Sequence, residues 1–507
     1  MKTAAQPLLN SRHLAKNVLW NIIGMLAPLL VAIITIPILI NSIGTEKFGV
    51  LSIIWMVIGY FSLFDLGLGR TLTKLIAQKL GQQRVTEQDI ARLTWTTLAL
   101  MMVLSIMGAL VVYFLTPWLV YDLLKLPSAM QSEVSSAFRF LALSIPLVIM
   151  TTAFRGILEA YQYFSWVNII RLPMGIFTFL GPVLVLPFSH SLEMIVIVLL
   201  IGRAVSFLAH VVVCLKLLPV LKGERQFVMS LVPYLLSFGG WMSVTNVIGP
   251  LMVYLDRFII GAVLTMSAVA YYTTPYEMVT KLWLIPGVVL PVLFPAFSMA
   301  EQVSKAKLVR LYFQGMLFIV ASIFPLSLLI SLFAYDGLAL WLNAEFAGHS
   351  SRVLQLLALG VFINSFAQVS FSLVQGMGRP DLTAKLHLFE LPFYLFGLWL
   401  LIPQYGIVGV ALVWTLRISV DTLVLFFMVN YLLPEAKVYA GKIALAIFLA
   451  LLLLMLSLAI SGVWLKSIYL LAAVIFAMLF LWFYLLAFED RQRLQTSGQL
   501  LLRQVLG

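Results

Sequence analysis

The chain is predicted to be an all-α integral membrane protein with about 14 transmembrane helices, arranged as two parallel six-helix repeats followed by a C-terminal helix pair. Three observations carry this. Of its 507 residues, 62% are hydrophobic and only 10% charged, with a mean hydropathy of +1.06, so a soluble globule would lack the polar surface to cover itself. The apolar residues fall in runs of about 20, the length that crosses a bilayer as a helix. Finally, two arginines, Arg203 and Arg417, sit inside such runs, and each run closes on Leu-Leu-Pro (Leu217, Leu218, Pro219 and Leu432, Leu433, Pro434).

In chain order the predicted spans are 17–40, 47–65, 93–116, 137–157, 166–188, 193–217, 233–258, 268–298, 310–334, 353–376, 386–403, 406–432, 441–462 and 467–487. The first is too long for a secretory h-region and no small-residue cleavage site follows it, so it is expected to remain as a helix. Gly67 and Gly69 follow the second span, and Pro286, Pro291 and Pro295 interrupt the eighth; these are candidate bending points. None of the runs shows the alternation of apolar and polar residues over about 10 positions that marks a spanning β-strand.

Basic residues orient the spans. With the N-terminus inside, 23 of the 32 Lys and Arg fall on the cytoplasmic side and six (Lys47, Lys125, Arg139, Arg257, Arg352, Lys466) on the other. That asymmetry predicts cytoplasmic N- and C-termini. The remaining three, Arg203, Lys281 and Arg417, lie within spans. The net charge of +12 follows from the cytoplasmic loops and anionic lipid rather than from nucleic acid. The single cysteine, Cys214, can form neither an internal disulfide nor a metal cluster.

An internal repeat is legible at three places. Residues 138–173 (FRFLALSIP, ILEAYQYF, IIRLP) parallel residues 354–392 (LQLLALGVF, LVQGMGRP, FELP); Pro28 to Val31 parallel Pro250 to Val253; and Arg203 parallels Arg417. Three matches in one order, with offsets of 214 to 222, read as a duplication of six helices. An even number of helices per copy makes the copies parallel, the layout of carriers whose substrate site lies where the halves meet. The predicted parts are a lobe at 1–222, a lobe at 223–438, and helices 13 and 14 with a tail at 439–507.

The stretch Gly44-Thr45-Glu46-Lys47-Phe48-Gly49, followed by Tyr60 to Gly69 with Asp65 among them, resembles the N-terminal signature of the bacterial polysaccharide and O-antigen flippases, a branch of the multidrug, oligosaccharidyl-lipid and polysaccharide exporter superfamily. Asp256-Arg257 before Phe258-Ile259-Ile260-Gly261 and the Gly378-Arg379-Pro380 turn are similar to the same family. The resemblance implies a V-shaped pair of bundles in the inner membrane. It would move an undecaprenyl-pyrophosphate-linked oligosaccharide between leaflets by alternating access, for O-antigen, capsule or exopolysaccharide synthesis. It also implies a monomer that works beside membrane lipid and the polysaccharide polymerase machinery, with no enzymatic turnover, no cofactor, and H+ or Na+ as coupling ion.

Such a substrate asks for cations that hold phosphate. Arg203 has only Leu199 and Phe207 one turn away, which makes it the first candidate anion ligand. Arg417 has Asp421 at i+4, so both a ligand and an ion-pair reading stand. Glu277 and Lys281 share a face of the eighth span as a hinge lock, a coupling-ion site or a self-neutralised pair. Arg155 with Glu159, and Arg171, either snorkel to headgroups or line the inner mouth. Asp65, Asp256 and Arg257 join Glu277, Glu159 and Asp421 as coupling or gating candidates. Tyr161, Tyr163, Tyr271, Tyr272 and Tyr276 read as interfacial anchors.

Two other classes fit the sequence less well. An integral-membrane polymerase or glycosyltransferase needs a solvated platform, and the longest outer connections, 117–136 and 335–352, are short, with no nucleophile motif, metal cluster or phosphate-cradling loop. An ion-coupled exporter of cationic drugs needs an acidic cavity, against which stand the three cations within spans.

Overall fold

The computed structural model describes residues 11–60, 68–81, 86–161, 163–222, 226–235, 255–486 and 491. Most of the predicted seventh span, Asp65 and the tail beyond 491 lie outside these residues. Every regular element among the described residues is helical. Among the described residues ten helices are long and apolar enough to cross a membrane, and they cover every predicted span but the seventh and eighth, which is compatible with about fourteen.

The chain divides into two compact units, Met1–Ala270 and Tyr271–Gly507. The first holds α1 (Ser11–Tyr60), α2 (Leu68–Gly81), α3 (Glu87–Pro117, continued by the π-helical turn Trp118–Leu123), α4 (Ser128–Ala160), α5 (Phe164–Val185), α6 (Leu192–Leu217) and a helical run at 255–263, α7. α1 contains the first predicted span and the described part of the second. The chain breaks between them at Gly44 (φ 80°, ψ 162°), a conformation essentially reserved for glycine. α4 is the central helix, with 61% of its most apolar window buried, and α2, α3 and α6 pack around it. α2 lies between the second and third predicted spans; Leu68, Leu72, Leu75 and Ile76 are buried, at the spacing that puts them on one face of a helix. α3 starts earlier than its apolar run because Thr86 and Asp89 form a reciprocal capping box that satisfies the first backbone donors.

α7 belongs to this first unit although it follows the lobe boundary expected at 222. The Lys125 N–H donates to the Gly261 carbonyl at 2.9 Å, its ammonium donates to the Val263 carbonyl, and Thr45 meets Ser267 at 3.3 Å.

The second unit contains most of α8 (Met266–Thr280), a 3-10 turn (Lys281–Trp283), α9 (Leu284–Val303), α10 (Lys305–Leu332), α11 (Ala334–Trp341), α12 (Ala344–Gly376), α13 (Pro380–Leu432), α14 (Lys437–Ser457) and α15 (Val463–Phe480). The predicted eighth span is therefore two helices. Pro286 has no N–H to donate and its ring crowds the carbonyl of Leu282, which places the break in the turn just before it. α12 is the central helix, with 78% of its window buried, and packs on α9, α10, α11 and α13. The sequence repeat pairs the region of α4 with that of α12, so it matches the central helix of each unit. α12 ends where the Gly378 N–H (φ 74°) bonds the Gln375 carbonyl and the Arg379 N–H that of Val374; Pro380 then opens α13.

α13 is a hairpin. Gly406 (φ 55°, ψ −136°) separates its two halves, which are the predicted eleventh and twelfth spans. α14 and α15 pack on α10, with Phe313 stacked on Tyr439 at 4.3 Å and Ser331 meeting Ser457 at 3.2 Å. Large apolar side chains such as Trp399, Phe427 and Trp464 stay exposed on the outside, as hydrocarbon allows. Lipid gives no hydrophobic drive between helices, so contacts depend on close packing: Gly360 of α12 leaves room for the Trp414 ring, which would lie 2.4 Å from an added Cβ.

Candidate functional site

Helix α6 begins at a serine cap, Ser191, whose hydroxyl accepts from the Glu193 N–H at 3.2 Å. Arg203 stands 11 residues after its first position and 14 before its last, about 17 and 21 Å along the axis. It is half-buried, its Nε–H finds no acceptor, and no carboxylate pairs with it among the described residues. Arg203 thus lies in the middle of its helix, where the sequence expectation puts it.

Arg417 is placed alike along its helix, 11 residues after Gly406 and 15 before Leu432, but its surroundings differ. The i, i+4 rule named Asp421 as its partner. The hairpin adds Glu390 from the other half of α13: its Oε2 lies 3.8 Å from Arg417 Nη1, and the guanidinium also sits over the Tyr394 ring at 5.4 Å. Asp421 Oδ1 is 3.7 Å from His387 Nε2, and the Glu390 and Asp421 carboxyls lie against each other. Glu390 and Asp421 are buried, at 5% and 6% exposure. His387 stacks on Phe371 of α12 at 5.9 Å. Glu390, Tyr394 and Arg417 line one side of a cavity of about 440 Å³, whose other walls include Phe393, Leu416 and Val420.

Sequence reasoning missed Glu390 and His387. The signal for Glu390 was present, an acid inside the eleventh span, and the repeat adds to it. Aligning IIRLP with LFELP puts Arg171 opposite Glu390, and the Arg203 to Arg417 match puts Phe207 opposite Asp421. The first copy therefore has Arg171 and Arg203 where the second has two acids around one arginine.

The other candidates are placed as follows. Lys281 Nζ reaches Glu277 Oε2 at 3.1 Å, with both side chains more than 40% exposed, at the junction of α8 with the turn before α9. Exposed pairs of this kind contribute up to about 1 kcal/mol. Arg155 Nε lies 3.5 Å from Glu159 Oε1, also half-exposed, and Arg171 is exposed on α5. Asp256 and Arg257 are both buried on α7, where the Arg257 N–H donates to Asp256 Oδ1 at 2.7 Å. Tyr161 and Tyr163 stack at 6.5 Å beside the start of α5, and burial raises the Tyr161 hydroxyl above its usual value. Tyr271, Tyr272 and Tyr276 are buried rather than interfacial: Tyr271 stacks on His349 and donates to Glu345, and Tyr276 packs edge-on against Trp414. The anchor reading fails for them because α8 lies inside its unit.

No group of three or more metal-ligating side chains occurs among the described residues. Among the described residues the geometry offers, in the first unit, a mid-helix guanidinium with no carboxylate partner and, in the second, a buried two-acid, one-arginine cluster.

Comparison with known proteins gives a consistent setting for this chemistry. Residues 14–301 match the family described as polysaccharide biosynthesis protein. A putative O-antigen transporter of Shigella flexneri is 30% identical over 410 residues, covering 81% of this chain and 96% of the relative. Among solved structures, an inward-facing multidrug resistance MATE family transporter of the MOP superfamily superposes with a TM-score of 0.70 at 14% identity, over 83% of this chain and 99% of that one. The lipid II flippase MurJ, in an inward closed conformation, superposes with a TM-score of 0.69 at 14% identity, over 91% and 98%.

Proposed function

Because the chain belongs to the polysaccharide biosynthesis protein family and to the O-antigen transporters within it, we propose that it flips an undecaprenyl-pyrophosphate-linked oligosaccharide repeat unit across the inner membrane by alternating access. The observation that carries the chemistry is Arg203. A guanidinium in the membrane interior costs at least about 2.5 to 3.5 kcal/mol, so it is kept where an anion or water offsets that cost. Its side chain has no carboxylate partner among the described residues, and a pyrophosphate presents the oxygens that a guanidinium fork matches. Arg171, on the helix packed against α6, lies on the path of the same headgroup from the inner leaflet.

The carrier works with both termini in the cytoplasm, as two parallel lobes with α14 and α15 appended. It hands its cargo to the polysaccharide polymerase machinery and acts as a monomer. Transport is reversible binding and release with no bond made or broken.

The test is surface polysaccharide in a flippase-null strain carrying wild type, Arg203→Ala or Arg203→Lys at matched membrane levels. The Ala variant is expected to lose complementation and the Lys variant to recover part of it, since Lys keeps the charge and loses the fork. Full complementation by Arg203→Ala would remove Arg203 from the ligand set.

A further inference from the structure

The cluster in the α13 hairpin has one more acid than it has fixed cations. Glu390 and Asp421 each carry a carboxyl, Arg417 is always charged, and His387 is charged only when protonated. Both acids are more than nine-tenths buried, neither oxygen of Glu390 accepts a hydrogen bond, and neither does Asp421 Oδ1. Glu390 also lines the cavity beside Tyr394 and Arg417.

Among the described residues, the surroundings supply no further charge. α12, which packs along the hairpin, has no ionisable side chain between 353 and 376 and presents Phe371 to His387. In the turn after α13, Glu435 is taken by Lys305 at 3.6 Å. At the start of α13, Asp381 is taken by Arg379 at 3.0 Å and lies 3.8 Å from Lys385.

We propose that Glu390 and Asp421 hold one exchangeable proton between them, with Arg417 and His387 as their charged frame, and that this is the coupling-ion site of the carrier. The assignment rests on the transport reading above. Two ionised carboxylates in contact repel, and a single proton between them removes the repulsion and makes the contact a hydrogen bond. With Arg417 balancing the remaining negative charge, the protonated cluster is neutral when His387 is neutral. The deprotonated one carries a net charge within the membrane, a state favoured only when the cavity admits water. Loading and release of the proton therefore differ between a closed and a wet hairpin, which is the property a coupling site needs. A proton fits better than Na+: a hard cation asks for several oxygen ligands, whereas here a guanidinium lies 3.8 Å from one carboxylate and an imidazole nitrogen 3.7 Å from the other.

Infrared difference spectroscopy of the full-length protein in lipid vesicles, titrated with pH, reads the carboxyl proton directly through the protonated C=O stretch. Wild type is expected to show one such band that titrates as a single coupled step. Glu390→Gln and Asp421→Asn, both near-isosteric, are each expected to lose it. Retention of the band in both variants, or its absence from wild type at every pH, overturns the proposal. The companion measurement is flipping of a fluorescent undecaprenyl pyrophosphate analogue in vesicles with and without an imposed pH gradient. Wild type is expected to respond to the gradient and the two amide variants to lose that response. A wild type that flips nothing sinks the transport reading while the infrared titration still judges the proton site.

Discussion

At the residue scale, two arginines at matching positions along their helices have opposite energetic characters. Arg417 is held by Glu390 at 3.8 Å and by the face of Tyr394, with its side chain only 13% exposed. Removing it leaves a buried acid without its cation, which costs about 3 to 5 kcal/mol. Arg203 has no such partner to abandon, so its removal deletes a group that the membrane disfavours. Thermal denaturation of the purified protein in detergent is therefore expected to show a large fall in Tm for Arg417→Ala and none for Arg203→Ala. Equal losses in the two variants would contradict the distinction. Composition made the presence of both arginines legible, because any charge in an apolar run stands out. The partner of Arg417 was only half legible, since the i, i+4 rule sees neighbours on one helix while Glu390 arrives from 27 residues away through a hairpin.

At the element scale, the breaks in α1 and α13 rest on Gly44 and Gly406, both at positive φ. A side chain at either position costs about 1 to 3 kcal/mol in backbone strain. Gly406→Ala is expected to lower the thermal midpoint, and to loosen the contact between Glu390 and Arg417 because both halves of the hairpin take their angle from this residue. Hydrogen exchange measured by mass spectrometry over 386–425 checks the second effect: faster exchange is expected there than over α4, and an unchanged pattern would show that packing on α12 alone sets the hairpin. Spans with strong, uninterrupted hydropathy were legible throughout. α2 was not, because its 14 residues are too short to cross a bilayer and its buried stripe is diluted by Thr, Lys and Gln. The division between α8 and α9 was hidden for a different reason: three prolines mark a region that can bend, and only the packed structure puts the bend at Lys281–Trp283.

At the scale of the whole molecule, the prediction concerns topology. The basic residues divide 23 to six, and several of the six are engaged in the fold: Lys47 pairs with Glu133 at 2.9 Å, Lys466 with Asp336, and Arg139 lies over the Tyr113 ring. The face expected outside is thus less basic than its count. Reporter fusions are expected to place the C-terminus in the cytoplasm and a site after Leu342, between α11 and α12, in the periplasm. A periplasmic C-terminus would overturn the orientation and, with it, the parallel repeat.

The α13 hairpin also bears on how the chain is made. Glu390 leaves the ribosome 27 residues ahead of Arg417, an interval of about 1 to 5 s at ordinary rates of synthesis. During that interval the first half of the hairpin reaches the membrane with an acid and no partner for it. That acid is offset only when Arg417 arrives, so the two halves are expected to enter the bilayer as a unit.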